Sequence, residues 1–200
     1  MAKSQVGGFD FLIRESNAWK WVESDGNYYL KSELLHKAGF PHGFFTRLWN
    51  RQKPNQLSEL LKEGTTVFSL KQVHSNRVIE IPKEKDCFSI EADGLISNKK
   101  DQSLWIYSAD CTPGLIADPI TGKVSAFHAG WRGIASNIIQ KVLIKMERMG
   151  SNKESLLIAL GPSISRQNYP VGPEVAEAIV ESLIREKTSQ KSNIKQRFNL

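Results

Sequence analysis

His74, Cys111 and His128 are of the types that hold a transition metal. Both types are scarce here, with four histidines and two cysteines in the whole sequence. A thiolate with two imidazoles is a borderline-soft donor set that suits zinc or copper. Three protein donors leave a fourth tetrahedral position open, the mark of a catalytic rather than a structural zinc. The spacing is not that of a compact metal motif, because Cys111 lies 37 positions after His74 and His128 a further 17 on. The fold must assemble the set. The same residues permit a second chemistry, in which Cys111 is a nucleophile and His128 its base. The two are exclusive, since a metal-bound thiolate is not free to attack. Asp93 and Asp110 lie near these residues in sequence, and either can carry protons or orient a liganding histidine.

The elements that must position these groups are legible as short runs. Leu104–Ala109, Leu115–Ala117 and Val124–His128 are apolar, and Asp118 to Gly122 reads as the turn between the last two. Cys111 closes one apolar run and His128 ends the next, so adjacent strands would bring both to one edge. Gly130-Trp131-Arg132-Gly133 follows a strand and leads into a helix over Ile134–Met149, with Ile134, Ile138, Val142, Met146 and Met149 on one face and Gly150 past its end. A helix N-terminus with the planar fork of Arg132 suits phosphate. The plainer alternative is a glycine-rich turn with Arg132 in a surface ion pair. Leu156–Leu160 reads as a buried strand, and Gly172-Pro173 opens a second helix running to about Lys187. Upstream, residues 18–32 form a hairpin about Asp25-Gly26, Pro41 to Arg47 is a loop entering a short strand, and Leu57–Lys62 is a short helix. Thr65–Leu70 and Val78–Ile81 are strand-like and flank the segment that carries His74. His36 and His42 have no supporting context and read as solvated or locally hydrogen-bonded.

Composition bounds the function classes. Two hundred residues, 40% apolar and 24% charged, suit one globular domain, here residues 1–187, followed by a polar basic tail over 188–200. The net charge of +6 is concentrated: five basic residues and one acid lie between Arg185 and Leu200. A basic tail without aromatic or motif support does not make a nucleic-acid footprint. No apolar run approaches the ~18–20 residues of a membrane span, and the expected location is cytoplasmic. Cys87 and Cys111 form no disulfide framework, and Cys87 reads as core filler.

Several segments together resemble the laccase-domain, or multicopper polyphenol oxidase-like, family, whose bacterial members are described as purine nucleoside phosphorylases with adenosine deaminase activity. They are Lys71-Gln72-Val73-His74, Ala92-Asp93-Gly94-Leu95, Ala109-Asp110-Cys111-Thr112-Pro113, His128 to Gly133, Gly161 to Ile164 and Tyr169 to Val175, with Pro41 to Arg47 upstream. The resemblance implies an α+β single domain, a mixed β-sheet or sandwich core flanked by helices, similar to cysteine hydrolase-like folds. It implies zinc, with copper as the alternative, on His74, Cys111 and His128, and purine nucleoside and phosphate as substrates. Arg47, Gln72 and Arg132 are the substrate and phosphate candidates, and Asp93, Asp110 and Cys111 the catalytic ones. Rival readings are a copper polyphenol oxidase and a non-catalytic interaction protein. Four histidines are too few for a conventional multicopper set. The chain departs from the family pattern in Leu48 to Ser58, and at Phe198-Asn199-Leu200, where the family continues through a further strand.

Overall fold

The computed structural model describes residues 3–6, 9–12, 17–49, 51–81 and 88–198; Cys87 lies outside them. The chain begins with an antiparallel pair, β1 (Lys3–Val6) and β2 (Phe9–Leu12). The hairpin expected at residues 18–32 follows as β3 (Trp19–Ser24) and β4 (Asn27–Ser32). Asp25 and Gly26 both have positive φ, 49° and 71°, as a type I′ turn demands. After α1 (Glu33–Lys37), the short strand β5 (Phe44–Phe45) adds to β4. Phe45 stacks between Tyr29 and Trp105, with ring centroids 5.0 and 5.5 Å away. Helix α2 (Pro54–Leu61) starts earlier than expected. Pro54 occupies the first turn, where its missing N–H is no loss, and the Gln56 side chain accepts the Lys53 N–H at 2.9 Å.

His42 is a structural histidine. Its Nε2 accepts the Ser32 N–H at 2.8 Å, so Nδ1 carries the proton and donates to the Phe40 carbonyl at 2.8 Å. Burial lowers its pKa against the raising effect of the Phe40 bond, with Lys31 and His36 adding to the depression. The folded state thus binds this proton less readily than the unfolded chain. The resulting stability is complete above the unfolded value of about 6.5 and is lost as pH falls through the depressed folded value. Urea midpoints should fall from pH 7 to pH 5 in the wild type and fall less in His42→Asn. Equal slopes would contradict this role.

Two parallel pairs follow. Strand β6 (Thr66–Phe68) will pair with β9 (Gln102–Leu104), and β7 (Val78–Glu80) pairs with β8 (Gly94–Ser97). Strands β10 (Thr112–Ala117) and β11 (Val124–Ala129) form an antiparallel hairpin, and β12 (Leu157–Leu160) joins β10. The central sheet has the order β12-β10-β11-β8-β7. On one face lie Ile138, Val142 and Met146 of a helix, packed on Ile96, Ile116 and Phe127. On the other lie Leu70, Ile81, Ala92 and Leu95. Side chains alternate along β11, so Phe127 enters the helix-side core while His128 projects from the opposite face. Among the described residues this is a mixed α+β domain.

Four expectations are corrected. Of the run Leu104–Ala109 only Leu104 is in a strand, and Cys111 immediately precedes β10 instead of closing an earlier strand. The helix expected over Ile134–Met149 is two: α3 (Trp131–Ala135) and α4 (Ile138–Arg148). They are separated at Asn137, which adopts left-handed φ 64°, a conformation asparagine tolerates better than most residues. The Asn76 side chain takes the Ser136 carbonyl at that break, 2.6 Å away. Strand β12 is an edge strand, with Ile158 and Leu160 39% and 49% exposed. Finally, α5 (Pro173–Phe198) continues well past Lys187, through most of the segment read as a tail.

Candidate metal centre

The β10–β11 hairpin delivers two of the three donors. Its turn is built on Asp118, whose carboxylate is fully buried and accepts the N–H groups of Ile120 and Thr121 and the Thr121 hydroxyl. Burial alone would raise its pKa; these bonds prevail and hold it at about 2. The register that follows sets Pro113 opposite His128 and Thr112 opposite Ala129. Just beyond its last rung lie Cys111 and Gly130, close enough that a Cβ on Gly130 would meet Cys111 Sγ. The Ser108 hydroxyl closes the preceding turn by donating to the Cys111 carbonyl.

His74 comes from a loop pinned at both ends to the segment entering β8. Lys71 exchanges backbone hydrogen bonds with Ile90 and Ala92, and the N–H groups of Asp93 and Gly94 both donate to the Arg77 carbonyl. Between these pins the loop wraps the Asp93 carboxylate. Oδ2 accepts the N–H of Ser75 at 2.7 Å, its hydroxyl at 2.8 Å and the N–H of Val73 at 3.3 Å. Oδ1 accepts the N–H of His74 at 3.0 Å. Successive N–H groups converging on an anion make a nest. Within it His74 has φ 58°, a left-handed conformation that costs a non-glycine residue about 1 kcal/mol or more.

The outcome is that one atom of each of His74, Cys111 and His128 lies within 4.8 Å of the others, the one such group among the described residues. The two imidazoles meet edge to face, with centroids 4.8 Å apart. His128 is buried, Cys111 half-buried and His74 exposed. His128 Nδ1 lies 2.9 Å from Asp93 Oδ1. Burial raises the Asp93 pKa, but bonds from His128, Ser75 and Val73 outweigh it, and the net shift is downward. An ionised carboxylate only accepts, so Nδ1 carries the proton and Nε2 is left free.

These residues fit a metal ion. The donor set is soft enough for zinc or copper, and the carboxylate–histidine pair is the usual support of a liganding imidazole. The cradle is tight: a Cβ on Gly130 would lie 2.9 Å from Cys111 Sγ and 2.9 Å from His74 Cδ2. The nucleophile reading fits less well. Burial pushes the Cys111 thiol up, and the charges of Asp110 and Asp93 push it further, whereas a nucleophilic cysteine needs its pKa lowered. A bound cation reverses that balance.

The other sequence candidates differ in what they touch. The Gln72 amide is occupied at both ends, accepting the Tyr107 N–H and donating to the Tyr107 carbonyl, each at 2.8 Å. It clasps the His74 loop to the segment leading to Cys111. Asp110 is exposed beside Cys111, with its carbonyl accepting the Ile164 N–H at 2.9 Å. Arg132 is exposed, its guanidinium 4.4 Å from the ring centroid of Trp131. Arg47 stands on the 3₁₀ turn Arg47–Trp49 after β5. Phe44 of β5 packs on Gly161, its ring filling the space a Cβ there would need. The Gly161 N–H in turn donates to the Pro113 carbonyl at 2.8 Å. The Phe44–Gly161 contact carried no local signal in sequence.

A mixed α+β domain with a His–Cys–His donor triangle at one end of its sheet is the class that fold and site define. The profile of the family described as multi-copper polyphenol oxidoreductase laccase matches residues 49–200, and the chain belongs to that family. A purine nucleoside phosphorylase of Synechocystis is 40% identical over 171 residues, covering 82% of this chain and 64% of that protein. A purine nucleoside phosphorylase of Rickettsia conorii is 32% identical, covering 69% and 59%. The chain therefore spans about three fifths of the length of these relatives. Among solved structures, YlmD from Geobacillus stearothermophilus superposes with a TM-score of 0.58 at 25% identity, over 62% of this chain and 50% of that one. A Neisseria meningitidis protein shares the fold over 86% of this chain and 74% of its own, with a TM-score of 0.57 at 20% identity. No helix among the described residues is long and apolar enough to cross a membrane.

Proposed function

We propose that this chain carries the metal centre of a zinc-dependent purine nucleoside phosphorylase that also deaminates adenosine. The observation that carries this reading is the triangle of His74, Cys111 and His128 braced by Asp93. The names of the relatives at 40% and 32% identity supply the substrate class. His74, Cys111 and His128 would hold the zinc, which when bound supplies a Lewis acid beside the purine. In phosphorolysis a phosphate oxygen bonds to the anomeric carbon of ribose as the bond to the purine nitrogen breaks, and the purine leaves with a proton. Asp110, exposed beside Cys111, would relay to the departing purine the proton that the attacking phosphate gives up. Arg132 and Arg47 are the cations for phosphate. Gln72 serves the site through its clasp on Tyr107.

A copper polyphenol oxidase is the weaker reading. Multicopper chemistry needs several histidine-rich sites, and His42 has both ring nitrogens committed to Ser32 and Phe40. Purified protein incubated with adenosine should yield adenine and ribose 1-phosphate only when phosphate is supplied, and inosine with or without it. Asp110→Asn should lower both rates by about 10²-fold or more. A protein that leaves adenosine untouched and oxidises a phenol when loaded with copper would overturn the proposal.

A further inference from the structure

We infer that Asp93 is a positioning residue that presents both histidines of the triangle through one oxygen atom. It rests on the reading of that triangle as a metal site. Asp93 Oδ1 accepts the backbone N–H of His74 at 3.0 Å and lies 2.9 Å from Nδ1 of His128. A displacement of this atom moves two of the three donors together. The carboxylate is 0% exposed, and its other oxygen is taken by Val73 and twice by Ser75. A group so enclosed has no route to exchange protons with a substrate, which separates its work from that of the exposed Asp110.

Three geometric facts make the arrangement specific. The backbone of Asp93 belongs to the site as much as its side chain, because the His128 N–H donates to the Asp93 carbonyl at 2.8 Å. The two residues are thereby held main chain to main chain and side chain to side chain. His74 keeps its left-handed φ of 58° only while the N–H groups of residues 73–75 turn inward. An acceptor of full negative charge at the centre of those groups is what holds them so. Asparagine is nearly isosteric yet cannot replace it. With its oxygen toward His128 and His74, its NH₂ would face the N–H groups of Val73 and Ser75, donor against donor.

The test compares wild type, Asp93→Asn and Ser75→Ala by metal affinity and by imidazole tautomer. Zinc affinity is read by chelator competition, and cobalt substitution by its thiolate absorption. Asp93→Asn should bind both ions about 10–100-fold more weakly, with an altered cobalt spectrum. Ser75→Ala loses one bond to Oδ2 and keeps both contacts of Oδ1, so its affinity should stay within about 3-fold of wild type, at the low end of support-residue effects. In metal-free wild-type protein, nitrogen NMR should find the His128 proton on Nδ1 and Nε2 bare. That measurement holds even if Asp93→Asn does not fold. Wild-type protein that takes up neither ion overturns the metal reading and this inference with it. Wild-type uptake with unchanged affinity in Asp93→Asn, an equally large loss in Ser75→Ala, or a His128 proton on Nε2 overturns the inference alone.

Discussion

If the triangle holds a metal as proposed, Gly130→Ala should abolish stoichiometric metal binding and leave the fold standing. Gly130 sits at φ −77° and ψ 170°, a region any residue adopts, so the substitution carries no backbone strain. Its effect is confined to where the new Cβ goes. That position is 2.9 Å from Cys111 Sγ and 2.9 Å from His74 Cδ2, closer than carbon tolerates in either case. Both neighbours are donors, and neither can give way without leaving the triangle. Cys111 is held just ahead of β10 by the Ser108 hydroxyl on its carbonyl, and His74 by the loop around Asp93. A weakening of 100-fold or more, on the order of the largest losses from a disturbed metal surround, should appear as absent metal in elemental analysis of the purified protein. Circular dichroism should be unchanged. A variant that retains the wild-type metal content would show that the donors close elsewhere.

Gly114→Ala should be the most destabilising single-methyl change in the sheet. Gly114 is opposite Phe127 across β10 and β11, and its Cβ would overlap the Phe127 ring. That ring is fully buried among Ile96, Ile116, Ile138, Val142 and Met146. On the other side β8 also presents a glycine, Gly94, opposite the same residue. The missing side chain of Gly114 is what leaves room for the ring, while that of Gly94 leaves room for Val78. Overpacking of a dense core costs about 1–3 kcal/mol and occasionally more, and overlap with a ring that cannot retreat belongs at the upper end. Against a domain stability of roughly 5–15 kcal/mol the loss should be plain in urea unfolding. Phe127→Leu in the Gly114→Ala background should recover part of it, giving a coupling energy of about 1 kcal/mol or more. Additive losses, or a single-variant cost below ~0.5 kcal/mol, would show that the ring finds another place.

How much of this was legible in the sequence depends on whether the signal was local. The Asp25-Gly26 turn, the run Val124–His128 and the apolar face of α4 obey short-range rules and appear where those rules put them. The break at Asn137 does not, because Ile134 and Ile138 keep helical spacing across it and only the backbone conformation interrupts the helix. The exposure of β12 was equally hidden, since Leu157–Leu160 is as apolar as an interior strand and only the strand order puts it at an edge. At the site, His74, Cys111 and His128 were candidates by residue type, and the resembling segments around them singled them out. Glycine at position 130 suggested a phosphate loop, while the structure gives it a second task, making room between Cys111 and His74. Asp93-Gly94 suggested a turn or an acid, and nothing local announced the loop of residues 73–75 that closes around the carboxylate. Gln72 suggested a substrate contact, and its amide is spent on Tyr107, 35 positions away.

The way the triangle is assembled also dates it within folding. None of its corners is a neighbour of another in the chain, and each is carried by a different segment: the loop before β7, the residue before β10 and the end of β11. Cys111 and His128 meet when a hairpin zips to its last rung. His74 joins them only after β8 has paired with β11 and drawn Asp93 into place. Contacts of high sequence separation form late, because the entropy of closing the intervening chain must be met before they contribute. The assembled triangle is therefore a timestamp: a chain in which its three corners have met is a chain in which β8, β10 and β11 have already paired.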